Sequence, residues 1–558
     1  MDQVRLVIAI VLSAAVFLVW QFFFVDRDAV QKTAEKTVQP PAKTEQVQPD
    51  QQPYVTEQKA PITNTTGVTD AAVAKPVQPG RIITVETPLY SAKISEQGAG
   101  FVSFILKDYR ENTTEDSPLK EIIPQNSIFG TVLVGYDGKS LAGLDNAVFS
   151  TDLNVDTLNV KQGSQKITFS WTSNQGVVVE KTYSFESDSY LMGLDVNVKN
   201  GSNLTIQDKL YLVIRGSAST DARAYGFEGP SALINDSLEE VDVDDIADQN
   251  TYPGSLKWVA LQDRYFMTSI IPAQAEEATM RLYVKDGNLL EAQYLNPVSD
   301  IRPGTQHTYQ YALFFGPRST KVLEEAGHDL SKALNFGFFD IIAKPCVWLM
   351  NLLYGVIPNY GIAIIILTLL IKIVLWPLGS KSYKSMSEMK KIQPLMKEIR
   401  EKHKDDKKKM NEEVMSLYRT YKINPLGGCL PMVVQLPVFF ALYRMLYQAI
   451  ELRHAPFFLW IDDLSAPDRL FRFPIDHIPF MEPPYGIPVL TLIMGASMLL
   501  QQKMSPPMGD PTQAKMMMFM PVIFTVIFIN FSSGLVLYWL VNNLLSIAQQ
   551  YYIQKKFA

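Results

Sequence analysis

A single cation lies within an otherwise uncharged apolar stretch of the sequence. Lys372 falls inside the run Gly361 to Leu378, and Thr368 lies four residues earlier, on the same face of a helix. A lysine at the centre of a membrane helix opposes insertion by about 2.5 to 3.5 kcal/mol, so such a residue generally has a function. An ammonium group in apolar surroundings attracts anions. Lys372 and Thr368 together therefore predict a polar groove. The alternative is that the lysine stem only extends to the lipid headgroups.

Polar side chains in two other apolar stretches could line the same groove. Gln435 lies between Pro431 and Pro437, which leave backbone carbonyls unpaired. The last apolar stretch contributes residues spaced by three, four and seven, which share a helical face: Trp539, Asn542, Asn543 and Ser546. Hydrogen bonding between packed helices is the alternative role. Because no Asp or Glu lies within these stretches to neutralise Lys372, a water-filled pocket or an incoming acidic group is favoured.

The residue types argue against several common functions. A proton- or sodium-coupled transporter normally uses a carboxylate within the membrane or paired broken helices, and neither pattern is present. The sequence also lacks metal-ligand spacing, a glycine-rich phosphate loop and a nucleophile motif. We therefore predict no enzyme activity, no metal site and no cofactor.

Six apolar stretches are long enough to be membrane spans. They are Leu6 to Val25, Gly361 to Leu378, about Cys429 to Ile450, Ile487 to Gln502, Met516 to Phe531, and Gly534 to Ile553. The first is interpreted as an uncleaved anchor, because no small-residue cleavage site follows it. A further apolar segment, Asp340 to Ile357, is interrupted by charge and proline. It is interpreted either as a helix in the membrane interface or as an extension of the second span.

Charge is divided along the chain and predicts its orientation. Residues 1–330 hold 27 Lys and Arg against 42 Asp and Glu, and residues 331–558 hold 24 against 15. The loop Gly379 to Ile423 carries 13 Lys and Arg, whereas Glu451 to Gly486 carries 3 against 6 acids. Basic loops remain on the cytoplasmic side, so the second of these loops is predicted to be outside. With six spans, both termini are cytoplasmic and residues 26 to about 335 are outside.

After the predicted anchor, the composition and apolar pattern of the sequence change twice. Residues 26–80 are rich in proline and glutamine and predict a disordered linker. From residue 81 to about 330 the apolar residues alternate, as in 194–198, and hairpins are indicated, as between Ile167–Thr172 and Val177–Phe185. This pattern is typical of a large antiparallel β-sandwich. Residues 331–360 contain the interfacial segment, and 361–558 form the helical core.

The loop between spans two and three predicts a basic helical hairpin at 380–422. Met389, Ile392, Met396 and Ile399 recur at helical spacing, as do Met410, Val414, Leu417 and Tyr421, with Asp405 and Asp406 at the turn. Its surface is studded with lysines, among them Lys390, Lys391, Lys407, Lys408 and Lys409. Such a surface could bind anionic lipid, ribosomal RNA or an acidic protein. The alternative is a merely solvated loop.

Several motifs in the helical half resemble those of a known family. They are Asn424-Pro-Leu-Gly-Gly-Cys-Leu-Pro431, Gln435-Leu-Pro437, Phe439-Phe-Ala-Leu-Tyr443, Ala455-Pro-Phe457 with Trp460, Asp463-Leu-Ser465, Asp510-Pro511 with Gln513 and Lys515, Phe519-Met-Pro521, and Ser533-Gly-Leu-Val-Leu-Tyr538. In this order they are similar to the YidC/Oxa/Alb membrane insertases. The anchor and large outer domain resemble the Gram-negative YidC type.

The resemblance implies a multi-domain membrane protein of the bacterial inner membrane. Its fold would be an all-α six-span bundle with a periplasmic antiparallel β super-sandwich, similar to galactose mutarotases, and a cytoplasmic helical hairpin. Five helices would enclose a groove open to the cytoplasm and lipid. Lys372, Thr368 and Gln435 match groove positions. The aromatic groove position matches Tyr538 or Trp539, of which Trp539 is preferred because it shares a face with Asn542.

The resemblance also implies a function, which we take as the leading hypothesis. The chain would insert inner-membrane proteins and help them fold, alone or with the Sec translocon. Its partners would be nascent membrane proteins, the translocon, the ribosome and membrane lipids, but not DNA. The alternative is an envelope-assembly or transporter-accessory protein whose periplasmic domain binds a partner.

Overall fold

The computed structural model describes residues 80–114, 116–127, 129–218, 226–285, 288–404, 406–421, 423, 430–474, 477–504 and 511–557. The predicted anchor at 1–25 and nearly all of the predicted linker at 26–80 lie outside the described residues, as does the motif Asn424 to Cys429.

The first part of the described chain is built of strands. In chain order they are β1 Ile82–Glu86, β2 Tyr90–Ser95, β3 Gly100–Arg110, β4 Leu119–Glu121, β5 Leu133–Tyr136, β6 Ser150–Thr151, β7 Thr157–Asn159, β8 Ser164–Thr172, β9 Val177–Glu186, β10 Leu191–Asn200, β11 Ile206–Asp208, β12 Leu210–Ser217, β13 Gly229–Ile234, β14 Ser237–Glu240, β15 Thr251–Gln262, β16 Phe266–Pro272, β17 Glu276–Lys285, β18 Leu289–Leu295, β19 Ser299–Ile301 and β20 Gln306–Pro317.

These strands form two large sheets and one small one. The order is β4-β3-β2-β1-β7 in the five-stranded sheet and β5-β12-β18-β17-β15-β16-β20-β10-β9-β8-β6 along the main path of the thirteen-stranded sheet. A two-stranded sheet joins β11 and β19. The pairs are antiparallel as predicted, except that β1 and β7 run parallel. The connection that brings β7 beside β1 passes through β2 to β6, which local alternation cannot reveal.

The core of the sandwich follows the alternation of the sequence. Every second residue of β9 and of β10 is buried, and Leu194, Val196 and Val198 point inward. The predicted hairpin is confirmed, with Thr172 opposite Val178 in the β8–β9 register. At about 25 cal/mol per Å² of apolar surface removed from water, this continuous core provides the main stabilisation of the sandwich.

One buried cation stabilises the sandwich. Lys181 on β9 is fully buried, and its Nζ donates hydrogen bonds to the carbonyls of Gly98, Ala99 and Val132 at 3.0, 2.7 and 2.7 Å. All three acceptor residues have positive φ, from 44 to 71°. Burial lowers the pKa of Lys181, whereas the three acceptors favour its protonated form. The lysine thus links β9 to two left-handed turns of neighbouring segments.

The second part of the described chain is helical. The helices are α1 Thr320–Ala326, α2 Asp340–Val356, α3 Tyr360–Val374, α4 Trp376–Lys402, α5 Lys407–Thr420, α6 Leu430–Gln448, α7 Val489–Met504, α8 Pro511–Phe528 and α9 Ser533–Phe557. By length and composition, one described helix, Gly337–Val356, could cross a membrane, and a second candidate is the bent pair α3 and α4. The four predicted spans from Cys429 onward each contain one described helix, with ends shifted by a few residues.

The helix expected over Gly361 to Leu378 ends early, although α3 and α4 together could still form one bent span. Helix α3 stops at Val374, and α4 continues at an angle of 66°. Pro377 lies in the first turn of α4 and has no N–H to donate to the carbonyl of Ile373, so the helix cannot continue straight through it. At 1.5 Å per residue α3 is about 22 Å long, less than the roughly 30 Å of a bilayer core.

The segment Asp340 to Ile357 forms a helix of its own, separate from α3. Helix α2 ends at Val356, and residues 357–359 turn before the Asn359 side chain caps the start of α3. The rings of Tyr354 and Tyr360 stack at 3.9 Å across this turn. Ile341, Trp348 and Val356 are exposed along α2, as is Phe338 just before it.

Helices α4 and α5 have the apolar seam of the predicted hairpin. Met389, Ile392 and Met396 are buried against Val414 and Leu417. Tyr418, not the predicted Tyr421, completes the seam, because Tyr421 lies on the exposed side of the helix. Asp405, at the predicted turn, lies outside the described residues.

Candidate functional site

The ammonium group of Lys372 lies between α3 and α9. Its Nζ donates to Ser546 Oγ at 2.6 Å and to Asn542 Oδ1 at 3.5 Å. Ser546 Oγ in turn donates to the carbonyl of Asn542 at 2.7 Å, which fixes the orientation of the hydroxyl. No acidic side chain pairs with Lys372 within the described part of the chain. The positive charge therefore has neutral partners, and one Nζ proton has no hydrogen-bond acceptor among the described residues.

Asn542 connects this cation to a third helix. Its Oδ1 accepts a hydrogen bond from Gln435 Nε2 on α6 at 2.8 Å as well as the longer one from Lys372. Helices α3, α6 and α9 thus meet at one amide oxygen. The structure therefore brings Lys372, Gln435 and Asn542 together, and their role in lining a groove stays a prediction.

Two other predicted groove residues make contacts inside the helices. Thr368 is buried and donates to the carbonyl of Ile364 in its own helix at 2.6 Å. Asn543 is buried on the other side of α9, where its Nδ2 donates to Ser497 Oγ on α7 at 3.1 Å. Asn543 therefore acts as interhelical packing, the alternative role considered for it.

The aromatic residues on α9 have different surroundings. Tyr538 is buried, with its side chain near that of Gln435. The ring of Trp539 packs edge-on against Phe439 at 4.6 Å and Phe528 at 4.9 Å. Tyr538 thus lies beside the polar cluster, and the preference for Trp539 as the aromatic groove residue stays a prediction. Trp539 instead forms an aromatic layer with Phe439 and Phe528.

This layer divides a closed half of the helices from a more open half. On α6 no described side chain from 435 to 440 is buried, whereas most from 441 to 448 are. On α9 every residue from 533 to 538 is buried and exposed residues begin at Leu544, although Ser546, Gln549 and Gln550 beyond it are buried. On α3 Leu369, Leu370, Ile373 and Val374 are exposed. The polar cluster therefore adjoins the open half, about 18 Å along α3 at Lys372 and about 14 to 20 Å along α9 at Asn542 and Ser546.

A loop that connects α6 to α7 covers the closed end through two buried ionic groups. Asp468 accepts from Trp460 Nε1 at 2.6 Å and from the backbone N–H of Leu490, at the start of α7. Arg469 donates to the carbonyls of Pro484 and Ile529, both at 2.8 Å. Burial raises the pKa of Asp468 and lowers that of Arg469, so both charges are held at a cost in solvation.

The sandwich contacts this end of the helices through two arginines. Arg264 Nε donates to the carbonyl of Tyr447 at 2.7 Å, and its guanidinium group lies 3.7 Å from the centre of the Tyr447 ring. In the opposite direction, Arg453 donates to the carbonyls of Arg110 and Glu111 at the end of β3. Ile450 also belongs to the apolar core of the sandwich. The carboxyl end of α6 is thus held by the sandwich on several sides.

The predicted hairpin lysines that the structure describes lie on the surface of α4 and α5. Lys390 and Lys391 on α4 and Lys408 and Lys409 on α5 are exposed, whereas the side chain of Lys407 lies outside the described side chains. Sequence reasoning did not identify the aromatic layer or the two arginines that join the sandwich to the helices. It named Ser546 only as a residue sharing the face of Asn542, although Ser546 is the nearest partner of Lys372.

Comparisons with known proteins cover the whole described chain. Two family models match: the YidC periplasmic domain over residues 82–349 and the 60Kd inner membrane protein over residues 352–558. The chain is 38% identical to the membrane protein insertase YidC of Syntrophus aciditrophicus over 100% of both chains. It is 39% identical to that of Syntrophobacter fumaroxidans over 99% of each.

Two solved structures also match. A crystal structure of an active YidC insertase with its first transmembrane domain resolved covers 86% of this chain and 95% of its own, with 19% identity and a TM-score of 0.37. A galactose mutarotase related enzyme from Lactobacillus acidophilus covers 42% of this chain and 97% of its own, with 14% identity and a TM-score of 0.33.

Proposed function

Because this chain belongs to the YidC family of membrane protein insertases of the bacterial inner membrane, we propose that the Lys372 cluster is where it receives the hydrophilic segment of a substrate. The observation that carries this proposal is a cation bonded to a hydroxyl and an amide between helices, with no acidic partner among the described residues. A substrate tail that carries Asp or Glu supplies the missing negative charge.

The strength of that attraction can be bounded. Two unit charges 4 Å apart attract by about 1 kcal/mol in water and by about 4 kcal/mol near a protein surface. Lys372 lies beside polar side chains at the edge of the open half, so the useful value falls between these limits. A gain of this size lowers the barrier for a hydrophilic tail without trapping it.

Release would follow from hydrophobic partitioning. Helix α3 is about 8 Å shorter than a bilayer core, so lipid and water approach the polar cluster more closely than at a full-length span. Once the tail has crossed, the apolar segment of the substrate gains free energy by leaving for lipid. No external energy source is needed for this step.

The membrane topology of the helices belongs to the same proposal. Six spans place both termini and the α4–α5 hairpin in the cytoplasm and the sandwich in the periplasm. The closed end, with the aromatic layer and the Asp468–Arg469 loop, then faces outward, and the open half faces the cytoplasm. This arrangement would admit a tail from inside while the outer end stays sealed.

The hairpin and the surrounding surface would bind the partners. Exposed lysines along α4 and α5 fit anionic lipid headgroups and ribosomal RNA. The insertase would work alone or beside the Sec translocon, and it would also assist folding.

Charge variants at Lys372 test the proposal in proteoliposomes. Lys372→Arg keeps the charge and should retain most insertion of a substrate with an acidic tail, whereas Lys372→Glu should lose it by tenfold or more. Thr368→Ser, which changes a buried neighbour without altering charge, serves as the control. Equal insertion by all of these variants would contradict a role for the charge.

A further inference from the structure

Several large apolar side chains project from the loop between α6 and α7. Leu459, Phe471 and Phe480 are 91%, 69% and 79% exposed, and Phe458 is more than half exposed. They are concentrated within about twenty-two residues of chain. Soluble protein surfaces seldom present so many large apolar groups together, and such groups usually mark an interaction site.

The backbone at these positions is unusual as well. Leu459, Phe471 and Phe480 all have positive φ, at 59, 52 and 64°. Bulky residues rarely adopt this region, because the side chain crowds the following carbonyl. Each of these three apolar side chains thus lies at a tight backbone turn that directs it away from the loop.

The loop is fixed to the ends of the helices. Asn530, just after α8, donates to the carbonyl of Phe480 at 3.1 Å and accepts from the N–H of Glu482 at 2.9 Å. The ladder between 470–473 and 485–487 holds the base of this turn. A Cβ at Gly361, near the start of α3, would come 2.0 Å from Phe457, so the other turn packs on that helix. The apolar side chains therefore lie level with the outer ends of α3 and α8.

The charges of the loop do not point to an electrostatic partner. Arg453 and Arg469 bond to backbone carbonyls, and Arg472 lies 3.5 Å from Asp462. Acidic residues outnumber basic ones six to three in the loop. A polyanionic surface is therefore disfavoured, and an apolar partner at the height of the helix ends is favoured.

We propose that Leu459, Phe471 and Phe480 enter the outer leaflet of the membrane and anchor the covered end of the helices at the boundary between headgroups and acyl chains. The inference rests on the proposed topology, which places this loop outside. Apolar insertion at this depth fits side chains that are exposed while their backbone is fixed. The anchor would hold the outer seal level with the membrane surface while the open half deforms around a substrate.

Depth-dependent fluorescence quenching in nanodiscs tests this proposal with the full-length chain. In a Cys346→Ala, Cys429→Ala background, one cysteine is introduced and labelled with an environment-sensitive dye at Leu459→Cys, Phe471→Cys or Phe480→Cys. Leu204→Cys on the sandwich is the matched control, because Leu204 is also 69% exposed. Ile523→Cys on α8, a half-exposed apolar position, reports on the helices themselves.

The expected result is blue-shifted emission at the three loop positions, with at least twofold stronger quenching by a shallow spin-labelled lipid than at Leu204. The emission shift and the quenching should both be unchanged in 1 M salt. If the loop probes are unquenched while Ile523→Cys is quenched, the membrane anchor alone is overturned. If the loop probes are shielded from water but not quenched by lipid, a protein partner covers them instead. An unquenched Ile523→Cys would overturn the proposed membrane position of the helices and the loop together.

Discussion

A double-mutant cycle between Lys372 and the acidic residues of a substrate isolates the charge interaction. The four combinations are the natural lysine or Lys372→Gln with a substrate tail that carries one Asp or the corresponding Asn. Glutamine keeps a side chain that can donate to Ser546 Oγ and Asn542 Oδ1, so the neutral hydrogen bonds of the cluster are largely retained. The cycle therefore removes the charge while disturbing the packing little.

The size of the coupling follows from the environment of the cation. Lys372 is half-buried beside polar groups, which places the interaction between about 1 and about 4 kcal/mol at contact. Because the ammonium already donates to Ser546 and the tail remains partly hydrated, we expect the lower part of this range, about 1.4 kcal/mol, or a tenfold rate effect. A second Asp in the tail should add less than the first.

The assay is the initial rate of protease protection of the tail in proteoliposomes. The rate should fall about tenfold when either charge is removed and little further when both are removed. Raising the salt concentration should weaken the coupling only modestly, because the site is partly shielded from bulk ions. Independent, additive effects of the two substitutions would refute the reasoning, since they would show that the two charges do not interact.

Further predictions concern the surroundings of the site. Arg264→Ala should loosen the contact between the sandwich and α6 and increase proteolysis near Tyr447, whereas Lys321→Ala, an exposed change elsewhere, should not; identical cleavage patterns would argue against the contact. Lys181→Met removes the donor shared by three buried carbonyls, of which that of Ala99 also accepts from the Tyr183 hydroxyl, and should lower the free energy of unfolding of the sandwich by about 3 to 5 kcal/mol, measured by pulse proteolysis in urea; a change below about 1 kcal/mol would show that the hydrogen bonds are replaceable. Trp539→Ala should open the aromatic layer and raise leakage of small ions through proteoliposomes severalfold, with Trp348→Ala on exposed α2 as the control; equal leakage in both variants would exclude a sealing role.

Parts of this molecule follow directly from local patterns in the sequence. The alternation in β9 and β10 predicts which side chains are buried, because each strand has one face on the core. The isolated charge of Lys372 predicts a polar site, because such a residue needs partners within the helices. The helical spacing of Met389, Ile392 and Met396 predicts the hairpin seam.

Other parts depend on relations between distant segments. Rotation of α9 decides that Tyr538 meets Gln435 while Trp539 meets Phe439, and spacing alone cannot fix that rotation. The parallel pairing of β1 with β7 and the arginine contacts between sandwich and helices are likewise set by long-range packing. The bend after α3 had a local signal in Pro377, which a hydropathy count overlooks.

The most direct test of the central claim is the accessibility of the polar cluster to water from each side of the membrane. Ser546→Cys, in a background without other cysteines, is treated with a membrane-impermeant thiol reagent in vesicles of defined orientation. The account predicts labelling from the cytoplasmic side at a rate at least ten times that from the periplasmic side. Absence of labelling from the cytoplasm, or equal labelling from both sides, would contradict a hydrated groove that is sealed outward.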